Sequence, residues 1–309
     1  MASDSKAKAL LRHPRYVFLY LLHRCSHLIK SDKFYYQCQY RLIMGKKLNF
    51  EHPVSYNEKL QWLKLYDRKP IYTTMVDKLA VKKYVGDKIG KEYVIPLLGV
   101  WDKPEDIDYD SLPNKFVLKA THGGGALDVV ICKDKAKLDK TAVNKKLNHS
   151  LRTDYWRMRE WPYKDVPRKI IAEEYIEDET GDLPDYKVLC FGGKPYLIWV
   201  HQGRSTNHTM DIFDINWNRL PVTQPGYPPS DEEIKRPVVL SKMLSLSHIL
   251  SQGIPQLRVD WYIVGEKLYF GELTFYDGAG FARWEPEEWD GKLGKMINLP
   301  FENDKHLKE

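Results

Sequence analysis

Hydrophobic and polar positions along this chain keep a helical period through its first third and a two-residue period through most of its second half. Residues 7–30 read as one or two short helices broken near Pro14. Leu10, Leu11, Val17, Phe18, Leu21, Leu22, Leu28 and Ile29 are interleaved there with Arg12, Arg15, Arg24 and Lys30. Ser55-Tyr56-Asn57-Glu58 matches a capping box, in which hydroxyl and carboxylate satisfy the first N–H groups of a helix. Leu60, Trp62, Leu63 and Leu65 carry that helix to a turn at Lys69-Pro70. A second helix is expected from about Val76 to Val85, with Gly86 and Gly90 punctuating its end.

Tyr93 to Trp101 reads as extended chain. Phe116 to Lys119 forms a short apolar strand, and strand character resumes from Asp128 to Cys132, so Thr121-His122-Gly123-Gly124-Gly125 makes a hairpin-like loop. A helix follows near 141–151. Lys169 to Ile176 is a strand. Tyr186 to Phe191 and Pro195 to His201 form a hairpin about Gly192-Gly193, and Gln256 to Val264 with Leu268 to Phe275 form another about Gly265-Glu266. Between them, Pro237 to Gln252 reads as a helix and the proline-rich stretch 203–236 as a long loop or flap. Antiparallel hairpins in place of regular β-α-β alternation give an α+β fold class.

Composition narrows the picture. With 309 residues, 43% hydrophobic and 29% charged, the chain is globular and large enough for one large or two medium domains. Its four cysteines are scattered without a Cys-x-x-Cys pair, which signals neither zinc nor a disulfide framework and suits a reducing cytoplasm. No run reaches the roughly 18 apolar residues of a spanning helix. Val17 to Leu22 is too short and lacks a small-residue cleavage site behind it, so a signal peptide is not expected. Residues 1–50 hold ten Lys/Arg and two Asp, a net +8, which leaves 6 − 8 = −2 for the remainder. Such an arm suits an anionic partner, for example the inner face of a membrane met through residues 7–30. It suits equally a solvated face of helices docked on their own core. With positive charge confined to the arm, no nucleic-acid partner is expected.

Candidate chemistry gathers in three places. Arg258 and Asp260 lie two apart on one strand and share a face, as do Glu272 and Thr274 on its partner. With the turn at Gly265-Glu266, Asp260 and Glu272 fall nearly opposite. Facing carboxylates repel unless a hard cation such as Mg²⁺, completed by phosphate oxygens, lies between them. Arg258 would bind phosphate beside them. Alone, the set is equally compatible with an Arg258 ion pair on a solvated sheet. Lys119, ending a strand before three glycines, can bring an ammonium and backbone N–H groups to a phosphate. The P-loop spelling is absent, and the glycines alone also suit a flexible turn. Ile171-Ala172-Glu173-Glu174-Tyr175-Ile176 offers backbone groups and acids to a planar base, or makes an ordinary edge strand. No Ser/His/Asp or Cys/His set stands out.

In order and spacing these pieces resemble the ATP-grasp superfamily over about residues 76 to 285: Asp77-Lys78 at a helix start, Lys119 and its glycine loop, Glu173-Glu174-Tyr175-Ile176, then Arg258-Val259-Asp260 and Glu272-Leu273-Thr274. The wording of Phe116 to Gly125, of Asp185-Tyr186-Lys187-Val188 with Phe191-Gly192-Gly193-Lys194, and of Gly271 to Tyr276 resembles the TupA-like branch, associated with teichuronopeptide, capsule and other surface-polysaccharide assembly. Thr274 stands where the superfamily usually has Asn, and its hydroxyl can still meet magnesium or phosphate as a weaker ligand.

The resemblance implies two α/β lobes with antiparallel sheets clasping ATP. The basic arm would span 1–50, a pre-ATP-grasp region 51–115, a small lobe 116–180 and a large lobe with the metal site 181–309. It implies that Lys78 and Lys119 hold ATP phosphates while His122, Gly123, Gly124 and Gly125 close over them. Glu173, Glu174, Tyr175 and Ile176 would frame adenine, and Asp185 would reach ribose. Asp260 and Glu272, assisted by Thr274, would hold Mg²⁺, with Arg258 stabilising charge on the transferred γ-phosphoryl group. The implied reaction is ATP-dependent joining of a carboxylate to an amine through an acyl-phosphate, on a uronic-acid carboxylate of a polysaccharide precursor with an amino acid or other amine. Trp199, His201, Arg204, Trp217, Trp261 and Trp284 are candidates for a sugar-binding wall, though any single tryptophan better suits the core, and Arg204 and Arg283 for carboxylate anchors. The glycine loop and 203–236 are candidate lids. The competing readings are a sugar kinase, a glycosyltransferase (Asp106-Ile107-Asp108 has the metal-motif spelling but reads as loop) and a non-enzymatic adaptor.

Overall fold

Two antiparallel sheets organise the chain; the computed structural model describes residues 14–123, 129–204 and 206–300. Helices come first. Helix α1 (Pro14–Arg24) begins on the proline, whose missing N–H costs nothing in a first turn; residues 7–13 of the expected arm lie outside the described residues. Helix α2 (Asp32–Met44) is capped by Ser31, whose hydroxyl accepts from the Phe34 amide at 3.2 Å, and stops on Gly45 at φ 74°. It sinks Tyr35, Tyr36 and Tyr40 into the main core, so this part of the basic arm is structural. Helix α3 (Tyr56–Tyr66) carries the expected capping box, with Ser55 and Glu58 bonded reciprocally. Tyr56, Leu60 and Leu63, at helical spacing, form its buried stripe.

The helix expected over Val76 to Val85 is instead two, α4 (Ile71–Val76) and α5 (Ala80–Ile89). Asp77 separates them, because its carboxylate accepts the Leu79 amide at 2.8 Å and competes with the helical ladder.

The smaller sheet has the order β1-β4-β2-β3, from β1 (Leu97–Trp101), β2 (Phe116–Ala120), β3 (Val129–Cys132) and β4 (Ile170–Glu174). One face carries Phe116, Leu118, Ile170 and Ala172 against Val143 and Leu147 of α6 (Lys140–Arg152). The alternation that buries those residues turns Lys119 and Glu173 to the other face.

The larger sheet has the order β7-β6-β5-β8-β9, from β5 (Asp185–Phe191), β6 (Lys194–Gln202), β7 (Thr209–Asp214), β8 (Gln256–Val264) and β9 (Lys267–Thr274). Strand β7 corrects the expectation that 203–236 is loop throughout: Leu197 to Gln202 pair with it residue by residue. Its Asp211, buried and paired with Arg219, breaks the apolar alternation that would have marked a strand. Val188, Cys190, Ile198, Val200, Val259 and Trp261 share a face beneath α7 (Leu240–Ser251), where the Trp261 indole donates to Ser247 Oγ at 2.9 Å. Each such side chain contributes roughly 1.5–3 kcal/mol by leaving water. The opposite face bears the charges. Helix α8 (Glu288–Gly294) closes against α3, where Asn57 donates to Asp290.

Candidate active site

On the charged face of the larger sheet, acids and bases alternate in a buried row. Arg258 donates from Nε to Asp260 Oδ1 at 2.8 Å and from Nη2 to Asp260 Oδ2 at 2.9 Å. Nη1 reaches Asp277, and Nη2 also lies 3.2 Å from Glu272 Oε1 and 3.1 Å from Thr274 Oγ1. Lys187 bridges Asp260 and Asp185, reaching Asp185 at 2.7 Å, and Arg204 also pairs with Asp185. Strand geometry makes the row: Asp185 and Lys187 are two apart on β5, Arg258 and Asp260 two apart on β8, and Lys187 sits directly opposite Asp260.

Burial would raise the Asp260 carboxyl, but Arg258 and Lys187 overcome it and hold the group at about 2. Burial would likewise discourage the Arg258 charge, and Asp260 and Asp277 reverse that, keeping the guanidinium protonated. The row counts four carboxylates (Asp185, Asp260, Asp277, Glu272) against three cations (Arg258, Lys187, Arg204), 4 − 3 = 1 negative charge in excess. The excess is most accessible at Glu272, whose side chain is 41% exposed where those of Asp185 and Asp260 are 3%.

The hairpin turn falls at Gly265-Glu266, as the sequence indicates, but the ladder slips between Val259 and Trp261. Gly271 and Glu272 together oppose Asp260, a β-bulge. A Cβ at position 271 would lie 3.2 Å from the Asp260 carbonyl oxygen, so the close approach favours glycine.

On the smaller sheet, Glu173 binds two ammoniums, Lys119 at 2.5 Å and Lys82 of α5 at 2.5 Å. Burial pushes its carboxyl up, and the two lysines more than reverse this, to about 2. Lys78 donates from Nζ to the Gly123 carbonyl and from its backbone to Thr121 at 3.1 Å, so the Asp77-Lys78 corner is stitched to the start of the glycine loop. Buried His122 lies with Nε2 3.3 Å from the Thr153 carbonyl and its ring edge-on to Tyr155. Gly124 and Gly125 lie outside the described residues.

The structure therefore brings together Lys78, Lys119, His122, Gly123 and Glu173 in one neighbourhood and Asp185, Arg258, Asp260, Glu272 and Thr274 in another. Glu174 is exposed at the end of β4 with Tyr175 and Ile176 following, and Tyr175 lies beneath Lys115 and Lys133, at 6.0 and 5.8 Å. The Glu173 carboxylate is committed to the lysines, that of Asp185 to Lys187 and Arg204, and that of Asp260 to Arg258 and Lys187, so none of the three stands as a free acid. Of the candidate sugar wall, Trp199, Trp261 and Trp284 are buried core residues, and Trp217 stacks on Phe213 at 4.3 Å. Arg283 donates to the Ile43 carbonyl. Asp108 caps a turn through the Asp110 and Ser111 amides.

Sequence reasoning missed Lys82, Lys187 and Asp277. Lys187 follows Asp185 by two, a spacing that puts both on one face of β5; Lys82 lies on α5, and its meeting with Glu173 of β4 has no local signal. Asp277 sits past β9 in a 3₁₀ turn (Asp277–Gly280) and has no periodic signal. Also missed is Glu160, from the segment joining α6 to β4. Burial raises its carboxyl to about 7, with Lys64 opposing and Asp277 adding to the rise.

The family model for TupA-like ATP-grasp proteins matches residues 58–298. The chain belongs to the TupA-like ATP-grasp family. No curated protein matches it. Among solved structures it is similar to D-alanine–D-alanine ligase from Bacillus anthracis complexed with ATP, at 16% identity, covering 65% of this chain and 54% of that one with a TM-score of 0.38. It is similar to the D-alanine–D-alanine ligase from Helicobacter pylori at 12% identity, covering 79% and 69% with a TM-score of 0.42. A RimK domain ATP-grasp protein from Sphaerobacter thermophilus matches at 11%, covering 75% and 70% with a TM-score of 0.42. The chain spans about half the length of the first of these ligases.

Among the described residues no three His, Cys, Asp or Glu side chains cluster closely enough to enclose a metal. Mg²⁺ needs fewer protein ligands, since substrate phosphates and waters complete its octahedron. The excess negative charge and the open Glu272 carboxylate fit such a partly held ion.

Proposed function

We propose that this TupA-like ATP-grasp protein is an ATP-dependent ligase that joins a carboxylate to an amine, with the carboxylate a uronic acid of a surface polysaccharide or its precursor. The observation that carries the reading is Arg258, fixed among Asp260, Asp277, Glu272 and Thr274 on a water-poor sheet face. A guanidinium so held is preorganised to meet charge on a transferring phosphoryl group. Family membership supplies ATP as the donor. Glu272, with Thr274 beside it, would hold Mg²⁺, joined by Asp260 once an oxygen parts from Lys187; the ion neutralises phosphate charge when bound.

The chemistry balances without a protein nucleophile. A substrate carboxylate oxygen attacks the γ-phosphorus, the bond to the β,γ-bridging oxygen breaks, and ADP leaves. The amine nitrogen then attacks the acyl carbon of the mixed anhydride, inorganic phosphate leaves, and the amine proton passes to phosphate or solvent. Lys119, held by Glu173, and Lys78 would steady the ATP phosphates. Arg204, paired with Asp185 at one end of the row, would help exclude water from the anhydride.

The test is ADP release with uronic-acid acceptors, with and without an amine. Release of ADP and phosphate in equal amounts, dependent on both acceptor and amine, with an amide in the product, supports the ligase. ADP formed without amine alongside a stable phosphate ester would make the protein a kinase.

A further inference from the structure

We infer that α1 and the turn after it form a docking surface for an anionic lipid bilayer. An amphipathic helix at a protein surface normally turns polar residues outward. Helix α1 also leaves large apolar and aromatic side chains outward. Its inner side carries Leu22, packed against the main core, and His23, whose Nε2 lies 3.0 Å from Gln39 Nε2. At about 100° per residue, Tyr16, Tyr20, Leu21 and Phe18 all fall within the solvent-facing arc. Tyr16, Phe18 and Tyr20 are 61, 61 and 60% exposed. Leu28 at 69% and Phe34 at 55% continue the apolar exposure beyond the helix. Contiguous exposed apolar residues of this kind mark an interaction surface.

Charge identifies the partner. Arg15 lies beside Gly45, where an added Cβ would meet its Nη1 at 3.6 Å, so Arg15, Lys46 and Lys47 gather at one end of the helix. Arg24 and Lys30 stand at the other. Asp32 is the only acid in residues 14–50, and its carboxylate is taken by Arg68 and Arg159. The apolar surface is thus bracketed by cations, and of these, among the described residues, Lys46 alone has a salt-bridge partner, Glu287. Aromatic rings and leucines flanked by Arg and Lys suit the boundary between lipid headgroups and acyl chains, where rings insert and cations meet anionic headgroups. Helix α1 has 11 residues, and no helix among the described residues is long and apolar enough to cross a membrane, so it would lie in the interface plane. This inference does not rest on the ligase reading.

Co-sedimentation of the full chain with vesicles tests it, using phosphatidylcholine alone and phosphatidylcholine mixed with phosphatidylglycerol. The protein should pellet with the anionic vesicles, and added salt should release it. The exposed-site double variant Phe18→Ser/Leu21→Ser and the charge variant Arg15→Glu/Arg24→Glu should each partition about tenfold or more weakly, with the thermal shift on Mg-ATP binding unchanged. The inference fails if the wild type stays in solution with both vesicles, if it binds neutral and anionic vesicles alike, or if both variants bind as the wild type does. It also fails if light scattering shows a dimer that Phe18→Ser/Leu21→Ser converts to monomer without any vesicle binding, which would make the surface a contact between copies of the chain.

Discussion

Arg258 and Asp260, two residues apart on one strand, are joined by two parallel hydrogen bonds of 2.8 and 2.9 Å. A lysine has one compact ammonium and cannot reproduce that fork while also reaching Asp277 and Glu272. Arg258→Lys should therefore keep the fold but lower turnover 100-fold or more, about 3 kcal/mol of transition-state stabilisation. Arg258→Ala should also destabilise the protein by about 3–5 kcal/mol, because buried carboxylates lose their counter-ion. Urea midpoints and ADP release separate the two effects, and wild-type turnover in the lysine variant would remove Arg258 from the chemistry.

Glu272 belongs to the same cluster but is far more open. Glu272→Gln should leave the melting temperature without nucleotide close to wild type and strongly reduce the upward shift given by Mg-ATP. Chelating Mg²⁺ should have the same effect on the wild type. An undiminished shift in the variant would move the metal elsewhere.

Glu173 and its two lysines allow stability to be separated from the proposed nucleotide binding. Glu173→Gln leaves Lys82 and Lys119 side by side without their carboxylate and should cost about 3 kcal/mol in chemical denaturation. Lys119→Met leaves the Lys82–Glu173 pair in place. It should cost less stability, yet weaken ATP binding by about tenfold or more in a titration. If Lys119→Met binds ATP normally, Lys119 does no more than partner Glu173.

The pH dependence of stability should have two opposed parts. Burial, then Lys187 and Arg204, hold His201 neutral down to about 2, whereas an unfolded histidine protonates near 6.5. The unfolded state binds the extra proton, so this site loses stability as pH falls below 6.5, by about 1.4 kcal/mol per unit. Glu160 acts the other way: its folded carboxyl is raised from 4.5 to about 7, so the folded state binds the extra proton and gains stability as pH falls from 7 toward 4.5. Wild-type stability should change little between these limits. Below about 4.5 Glu173 and Asp260, both held at about 2, add to the loss. Glu160→Gln should expose a steady decline from pH 6.5 downward in urea midpoints, and His201→Gln should remove most of it. Parallel profiles for all three proteins would sink the assignment.

What the sequence made legible was local. The capping box at Ser55, the Gly265-Glu266 turn and the two large-sheet hairpins stand where the pattern puts them, because each depends on neighbours a few residues away. Arg258 and Asp260 were found by the same two-residue rule. The charge row was only half visible, since Asp277 arrives from an irregular segment with no period to read, as does Glu160, which feels its charge. Strand β7 was hidden by the proline-rich stretch around it and by a buried Asp211 that a pattern reads as exposed. The roles of Glu173 and Asp185 depended on Lys82 and Arg204, which only the folded chain brings alongside.

Helix α3 is tied to the far end of the chain: Asn57 donates to the Ala282 carbonyl and Lys59 to that of Ile297, contacts spanning 225 and 238 residues. A ribosome making this protein releases residues 282 and 297 more than 220 residues after the helix they close against. Until they emerge, Tyr36, Tyr40 and Tyr56 have no completed core to enter. This core therefore closes late, through contacts of high sequence separation, and such contacts form slowly.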